Sequence, residues 1–294
     1  MTFLFRSMLF VPSHNEKFIE KAITCEADAI IFDLEDAVPP VKREEARATL
    51  KKYLLSDVFT GKQIFVRVNE LDTIDLQDDM SLLSLGKLKG IVAPKIRNTE
   101  DVKRFEILLS KAEQEGKLPE GKLMLLPLIE TAQAVMNVAQ IASSSHRIPA
   151  LLFGGEDYLD SVNGKHEYPP KAFDVPRSMV VMAARMNGLL PIDTPYLDLN
   201  NEEGFYAEER SSCAMGFTGI LLVNPKQIPW ANACFSPSQD EIEHASRVLE
   251  SVEKVRMDGG SIATLDGKMI GPPMRKRAEK VMALKKMMEE RDKE

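Results

Sequence analysis

The sequence of 294 residues has few of the features that assign a function directly. Its three cysteines, Cys25, Cys213 and Cys234, lie far apart, which excludes a CxxC metal site and predicts reduced thiols in a cytoplasmic protein. Basic residues are outnumbered by acidic ones, 38 against 45, and the net charge is -7. We therefore expect no nucleic-acid surface, and an anionic ligand would need a local basic pocket.

Long hydrophobic runs and signature loops are also missing. The apolar start, residues 1–13, is too short to span a membrane and lacks a small-residue cleavage site, so we expect no membrane segment and no export signal. There is no P-loop, and the first predicted strand is followed by VPSHN instead of a glycine-rich dinucleotide motif. The four histidines form no visible Ser/His/Asp arrangement, which argues against hydrolysis by a triad.

The sequence does contain a repeated alternation of short apolar runs and amphipathic segments. In the central stretch, residues 122–158, two apolar runs flank one helical pattern, which is the outline of a parallel βαβ unit. Eight such runs are the number that closes a (β/α)₈ barrel. An open doubly wound sheet is the alternative. Because its glycine-rich turn is missing, we predict an α/β protein with a (β/α)₈, or TIM, barrel.

The end of the chain has a different character. Ser238 and Glu241 form a capping box before a helical stripe, and a glycine- and proline-rich segment over residues 258–273 precedes a basic helix. We therefore predict a catalytic barrel domain over residues 1–237. Residues 238–294 are predicted as a C-terminal extension of helix, lid segment and final helix, although a simple tail is the alternative.

Charged residues follow several predicted strands. In the central stretch, Glu130 closes the first apolar run, and Glu156 with Asp157 closes the second. Ligands gather at the carboxyl ends of parallel strands, so Glu130 and Asp157 are expected side by side in one cleft. With no adjoining histidine they are hard oxygen ligands suited to Mg²⁺. Strand-end acids can also be helix caps or ion-pair partners.

The barrel mouth would collect further polar residues from other strand ends. Arg67 offers a planar fork for a substrate carboxylate. Mg²⁺ could chelate a hydroxyl or keto oxygen together with that carboxylate, as cleavage of a carbon–carbon bond beside a carbonyl requires. The residues expected at this mouth are Glu35, Asp36, Arg67, Lys95, Glu130, Asp157, Asp193 and Asn224.

A series of short motifs in fixed order resembles a known family. The motifs are RSMLFVP, DAIIFDLEDAV, VRVN, PKI, LIET, FGGEDY, IDTPY, VNPKQI and DGKMI. Together they resemble the citrate lyase β-subunit-like family, which includes malyl-CoA and citramalyl-CoA lyases. The resemblance covers nearly the whole chain, from Arg6 to about Pro273. It implies a (β/α)₈ barrel, a homotrimer, Mg²⁺, and cleavage of a 3-hydroxyacyl-CoA to acetyl-CoA and a 2-oxo acid.

The resemblance also implies roles for individual residues. Glu130 and Asp157 match the metal ligands, and Arg67 matches the arginine that binds the keto-acid carboxylate. Asp36 matches an acid that helps to hold the metal's water shell. Asp266 matches a lid acid that reaches into a neighbouring subunit's site.

Three positions depart from the family pattern. Ser13 stands in place of glycine, Gly271 in place of an acid, and Asn224 in place of a histidine. These departures leave the expected metal centre intact but put substrate preference and thioester-carrier contacts in question.

The expected reaction is a retro-Claisen cleavage of citramalyl-CoA or malyl-CoA that releases pyruvate or glyoxylate. Asp266 is the candidate for protonating the acetyl-CoA enolate, although an Asp-Gly turn would explain the same residue. Arg6, Lys95 and the basic run at residues 275–277 are candidates for binding CoA phosphates, and a solvated basic face is the alternative for that run.

Three other functions stay open. A citrate lyase β subunit would cleave a citryl thioester on an acyl carrier protein to give oxaloacetate. A pyruvate-type aldolase would act on free hydroxy-keto acids, but it relies on a histidine near the second strand, where this chain has Glu35 and Asp36. A catalytically silent barrel would serve binding or scaffolding.

Overall fold

The computed structural model describes residues 3–59, 61–257 and 262–291. The chain forms two compact units. One is Phe5–Asn232, and the other begins at Ala233 and includes Phe3 and Leu4. The assignment of catalysis to residues 1–237 and of a lid to residues 238–294 remains a prediction, because two compact units do not by themselves show which one is catalytic.

The first unit is a closed barrel of eight parallel strands in chain order, in which β1 also pairs with β8. The strands are short, apolar and buried, as expected for parallel strands covered on both faces. This confirms the predicted (β/α)₈ barrel. The strands are β1 Ser7–Pro12, β2 Ala29–Asp33, β3 Gln63–Arg67, β4 Gly90–Ala93, β5 Met124–Ile129, β6 Ala150–Phe153, β7 Leu190–Asp193 and β8 Gly219–Leu222.

Helices alternate with these strands, and α4 shows how the sequence sets their bounds. The side chain of Asn98 caps α4 by accepting hydrogen bonds from the backbone N–H groups of Glu100 and Asp101. Val102 and Phe105 then begin its buried face. The helices are α1 Glu16–Thr24, α2 Arg43–Leu54, α3 Leu76–Ser81, α4 Thr99–Glu115, α5 Ala132–Ser143, α6 Gly155–Ser161, α7 Asp174–Met186, α8 Glu202–Met215 and α9 Ile228–Cys234.

The second unit consists of two helices and a small hairpin. Helix α10 spans Gln239–Met257, strands β9 and β10 span Ala263–Leu265 and Lys268–Ile270, and helix α11 spans Pro272–Arg291. Apolar side chains from all four elements share one core. In the part of the chain that the structure describes, no helix is long and apolar enough to cross a membrane.

Two predictions for this unit can be compared with the structure. The capping box is present, because the Ser238 N–H donates to Glu241 Oε2 at 2.8 Å and the Glu241 N–H donates to Ser238 Oγ at 3.2 Å. The predicted lid segment contains the β9–β10 hairpin, with Asp266 and Gly267 at positive φ in its turn. Residues 258–261 of that segment lie outside the described residues.

Candidate active site at the barrel mouth

The carboxyl ends of the barrel strands surround a cleft of about 360 Å³. Its position follows from the fold, since residues that come just after parallel strands collect on one rim. The cleft brings together four of the residues predicted for the site, which are Asp36, Arg67, Glu130 and Asp157. Apolar side chains complete its wall, among them Phe10, Leu128, Leu221 and Val223.

Glu130 follows β5 and is almost completely buried, with 2% exposure. Its Oε1 accepts a hydrogen bond of 2.6 Å from the backbone N–H of Lys95. Burial, and next the negative charge of Asp157, raise the pKa of Glu130 to about 7. Burial, and next the charge of Asp36, raise the pKa of Asp157. The cleft therefore concentrates negative charge that a bound cation would relieve.

This donor set fits Mg²⁺, which binds through one or two carboxylates and keeps several water ligands. Within residues 3–59, 61–257 and 262–291, no group of three or more His, Cys, Asp or Glu side chains is arranged to hold a metal. Glu130 and Asp157 would therefore supply two ligands, and substrate oxygens and water the remainder. The start of α6 supports this pair, because Gly154 packs directly against the side chain of Glu130.

Arg67 is held mainly by Asp33, a residue that the sequence analysis missed. The two residues are neighbours in the parallel register of β2 and β3. Arg67 Nε donates to Asp33 Oδ1 at 2.7 Å, and Nη2 donates to Oδ2 at 2.5 Å. This edge of the guanidinium fork, which was predicted to bind a substrate carboxylate, is thus occupied by Asp33. Nη1 instead donates to Asp36 Oδ2 at 3.1 Å.

Glu35 lies beside this arginine and is buried. Its Oε2 lies 3.1 Å from Arg67 Nη1 but makes no hydrogen bond with any described residue. Burial raises the pKa of Glu35 to about 8, although the charge of Arg67 opposes the shift. Burial thus disfavours the charged form of Glu35 even though Arg67 lies beside it.

Lys95 follows β4 with a left-handed backbone, at φ 49°. Its Nζ lies 3.7 Å from a carboxylate oxygen of Glu70. Burial acts to lower the pKa of Lys95, but the nearby carboxylates, Glu70 first, raise it. Lys95 therefore remains a cation next to the acids of the mouth while its backbone N–H holds Glu130.

Arg6 lies elsewhere in the barrel unit. It immediately precedes β1, so it is at the amino end of the strands, whereas the cleft is at their carboxyl ends. Its guanidinium is buried in an ion pair with Asp28, with Nε and Nη2 each 2.9 Å from a carboxylate oxygen. The expectation that Arg6 binds CoA phosphates is thus corrected, because its guanidinium is buried against Asp28 at the amino end of the barrel strands.

Asp266 lies in the second unit, in the turn between β9 and β10. Its carboxylate is exposed and accepts hydrogen bonds of 2.5 Å from Arg247 of α10. The arrangement agrees with an Asp-Gly turn residue. Its role as a lid acid therefore remains a prediction.

A closed (β/α)₈ barrel with buried acids and an arginine at its carboxyl end defines the class of this protein. The family described as HpcH/HpaI aldolase/citrate lyase matches residues 6–225, and the chain belongs to this family. This confirms the resemblance found in the sequence motifs and supports a lyase role.

Individual relatives span nearly the whole chain. It is 32% identical over 280 residues to citrate lyase subunit beta of Leuconostoc mesenteroides subsp. cremoris, covering 95% of this chain and 92% of that one. It is 35% identical over 266 residues to a (3S)-malyl-CoA thioesterase of Cereibacter sphaeroides, covering 90% and 89%.

Solved structures give the same fold. The protein CitE from Mycobacterium tuberculosis, in complex with magnesium, acetoacetate and coenzyme A, matches with a TM-score of 0.74 and 26% identity, covering 94% of this chain and 96% of that one. A citrate lyase from Burkholderia xenovorans matches with a TM-score of 0.83 at 19% identity, covering 96% and 92%, which shows the fold alone.

Proposed function

We propose that this protein is a Mg²⁺-dependent carbon–carbon lyase that cleaves a 3-hydroxyacyl-CoA of the citramalyl-CoA or malyl-CoA type. The products would be acetyl-CoA and pyruvate or glyoxylate. The observation that carries the proposal is the juxtaposition of Glu130 and Asp157 with Arg67 in one cleft. The similarity to proteins named for citrate lyase and malyl-CoA chemistry supports the substrate class.

In this proposal Glu130 and Asp157 hold the metal, with Asp36 placed to hold its water ligands. A bound Mg²⁺ would supply a Lewis acid that lowers the cost of negative charge on the substrate's hydroxyl or keto oxygen. Arg67 orients the carboxylate of the leaving keto acid through Nη1, the nitrogen that now donates to Asp36. The apolar wall at Phe10 keeps water away from the reacting bond.

Two further residues predicted for the site act on the thioester side. Lys95 supplies positive charge toward the CoA phosphates, because nearby acids keep it protonated. Asp266, after leaving Arg247, takes the proton that the substrate hydroxyl releases and returns it to the carbon of the acetyl-CoA enolate. The proposal includes a homotrimer in which Asp266 serves a neighbouring subunit's site.

A second candidate function is that of a citrate lyase β subunit, which would cleave a citryl thioester on an acyl carrier protein to give oxaloacetate. The match to such a subunit over 95% of this chain favours it. The purified chain should be assayed with citramalyl-CoA, malyl-CoA and citryl-CoA. Cleavage that occurs only after carrier and transferase subunits are added would favour the second candidate.

The metal site is tested by Glu130→Gln. Losing a direct ligand should lower Mg²⁺-dependent turnover by more than the 10- to 100-fold typical of an outer-shell partner. Glu115→Gln is the matched control, since Glu115 is exposed at the end of α4 and forms an ion pair with Lys111 at 3.8 Å. Unchanged turnover in Glu130→Gln would refute the assignment.

A further inference from the structure

We infer that Thr194 is a positioning residue that fixes Asp157 opposite Glu130 by holding the first turn of α6. The inference rests on the proposed function, because it gives Asp157 a role as metal ligand. It extends that function to Thr194, which belongs to the IDTPY motif but has no role in the proposed function.

The contact that carries the inference is between Thr194 and Gly155. Gly155 is the first residue of α6, and its N–H has no acceptor inside the helix. It donates to Thr194 Oγ1 at 2.8 Å in a buried hydrogen bond. Asp157 comes two residues later in the same turn, so its position depends on where the Gly155 backbone is held.

The same turn is held from the other side by β5. The Gly154 N–H donates to the carbonyl oxygen of Ile129 at 3.2 Å. A Cβ on Gly154 would lie 2.6 Å from Glu130 Cβ, so the backbone there touches Glu130 directly. The start of α6 is thus fixed between the strand that carries Glu130 and the strand end that carries Thr194.

Thr194 is itself held in place by buried partners. Its N–H donates to Asp193 Oδ1 at 2.8 Å. Asp193, which is fully buried, also accepts hydrogen bonds from Arg177 Nε at 3.0 Å and from Ser212 Oγ at 2.5 Å. Arg177 belongs to α7 and Ser212 to α8, so two outer helices support the hydroxyl that holds α6.

The packing leaves little room for adjustment at this contact. A Cβ on Gly155 would lie 2.7 Å from Phe173 Cζ and 2.8 Å from Thr194 Oγ1. Replacing the hydroxyl with a methyl group would leave a buried N–H without an acceptor and would push on the Gly155 backbone. Movement of the first turn of α6 then displaces Asp157.

The test uses the full chain, stripped of metal, with Mn²⁺ alone as the probe and no substrate. We expect Thr194→Val to raise the Kd for Mn²⁺ by about 10- to 100-fold, as is typical of residues that orient metal ligands. Thr194→Ser keeps the hydroxyl, so its Kd for Mn²⁺ should stay within about 3-fold of the wild-type value, well below the change expected for Thr194→Val. Thr218→Val is the control, because Thr218 precedes β8 at the opposite end of the barrel and donates to Pro191 O. Should the valine variant not fold, Thr194→Ala removes the acceptor without the added bulk.

Turnover gives a second readout that general destabilisation would not reproduce. For Thr194→Val the Mg²⁺ concentration needed for half-activation should rise. At saturating Mg²⁺, kcat should recover to less than about 10-fold below the wild-type value, which is smaller than the loss typical of residues that orient metal ligands. Wild-type Mn²⁺ affinity in the valine or alanine variant, or equal impairment in the serine variant, would overturn the inference. If Glu130→Gln also binds Mn²⁺ normally, the proposed metal site is refuted. If Glu130→Gln loses Mn²⁺ binding while the Thr194 variants keep it, only the role inferred for Thr194 is refuted.

Discussion

Replacing Gly154 with alanine would test how closely the backbone must approach Glu130. The new Cβ would lie 2.6 Å from Glu130 Cβ and 2.8 Å from its Oε2, where ordinary contacts begin at 3.4 Å. Gly154 has φ -105°, which alanine adopts without strain, so the effect is a collision and not a backbone penalty. The helix start and Glu130 must therefore separate by roughly 0.8 Å.

A displacement of this size at a catalytic group lowers rates on the order of 100-fold. We expect Gly154→Ala to lower kcat/KM by that order, which corresponds to about 2.7 kcal/mol of transition-state stabilisation. The assay is a Mg²⁺ titration of thioester cleavage, combined with Mn²⁺ binding to the free protein. Normal metal affinity and turnover in this variant would show that Glu130 does not need its present position.

Gly188→Ala is the control for stability in this experiment. Its Cβ would meet no atom within 4 Å, but Gly188 has φ +72°, which strains an alanine. It should cost about 1 kcal/mol of folding free energy and leave Mg²⁺ activation unchanged. A loss of Mg²⁺ activation in this control would mean that destabilisation alone explains the Gly154 result.

Two further predictions concern buried charges. Asp33→Asn removes one partner of the buried ion pair with Arg67, so urea denaturation should show a loss of about 3–5 kcal/mol in the free energy of unfolding; a loss below about 1 kcal/mol would contradict this. Glu209 is buried, its two carboxyl oxygens have no hydrogen-bond partner among the described residues, and burial, followed by the charge of Asp193, raises its pKa. The folded protein therefore keeps a proton that the unfolded chain releases above about pH 4.5, and stability should fall as pH rises above that value. Glu209→Gln should flatten this fall, measured as a smaller decrease in Tm between about pH 5 and 8; an unchanged slope would assign the pH dependence to other groups.

The barrel was predictable because its strands are continuous apolar runs separated by helical patterns. Helix α4 shows such a pattern, since its buried apolar residues Val102, Phe105 and Leu109 recur at helical spacing. Helix α6 was missed because its seven residues are too few to show a period, and the two glycines at its start, Gly154 and Gly155, resemble a loop. The β9–β10 hairpin was missed for a similar reason, since each strand has only three residues.

The site was predictable only where chain order alone decides the geometry. Glu130 follows an apolar run directly, so its place at the mouth follows from strand direction. Asp33 required the register between β2 and β3, which sets it beside Arg67 and which no local pattern encodes. Arg6 was predicted to bind CoA phosphates because of its positive charge. Its position just before β1 places it at the amino ends of the strands, opposite the cleft.

Closure of the barrel between β1 and β8 has a consequence for biosynthesis. Ser7 pairs with Ile220, so the first barrel strand to be synthesised cannot complete its pairing until the last barrel strand has left the ribosome. A nascent chain that stops before Gly219 would leave two unpaired strand edges, which readily join edges of other chains. Late interruption of translation should therefore give aggregates that quality-control proteases must remove, and not a shortened protein with partial activity.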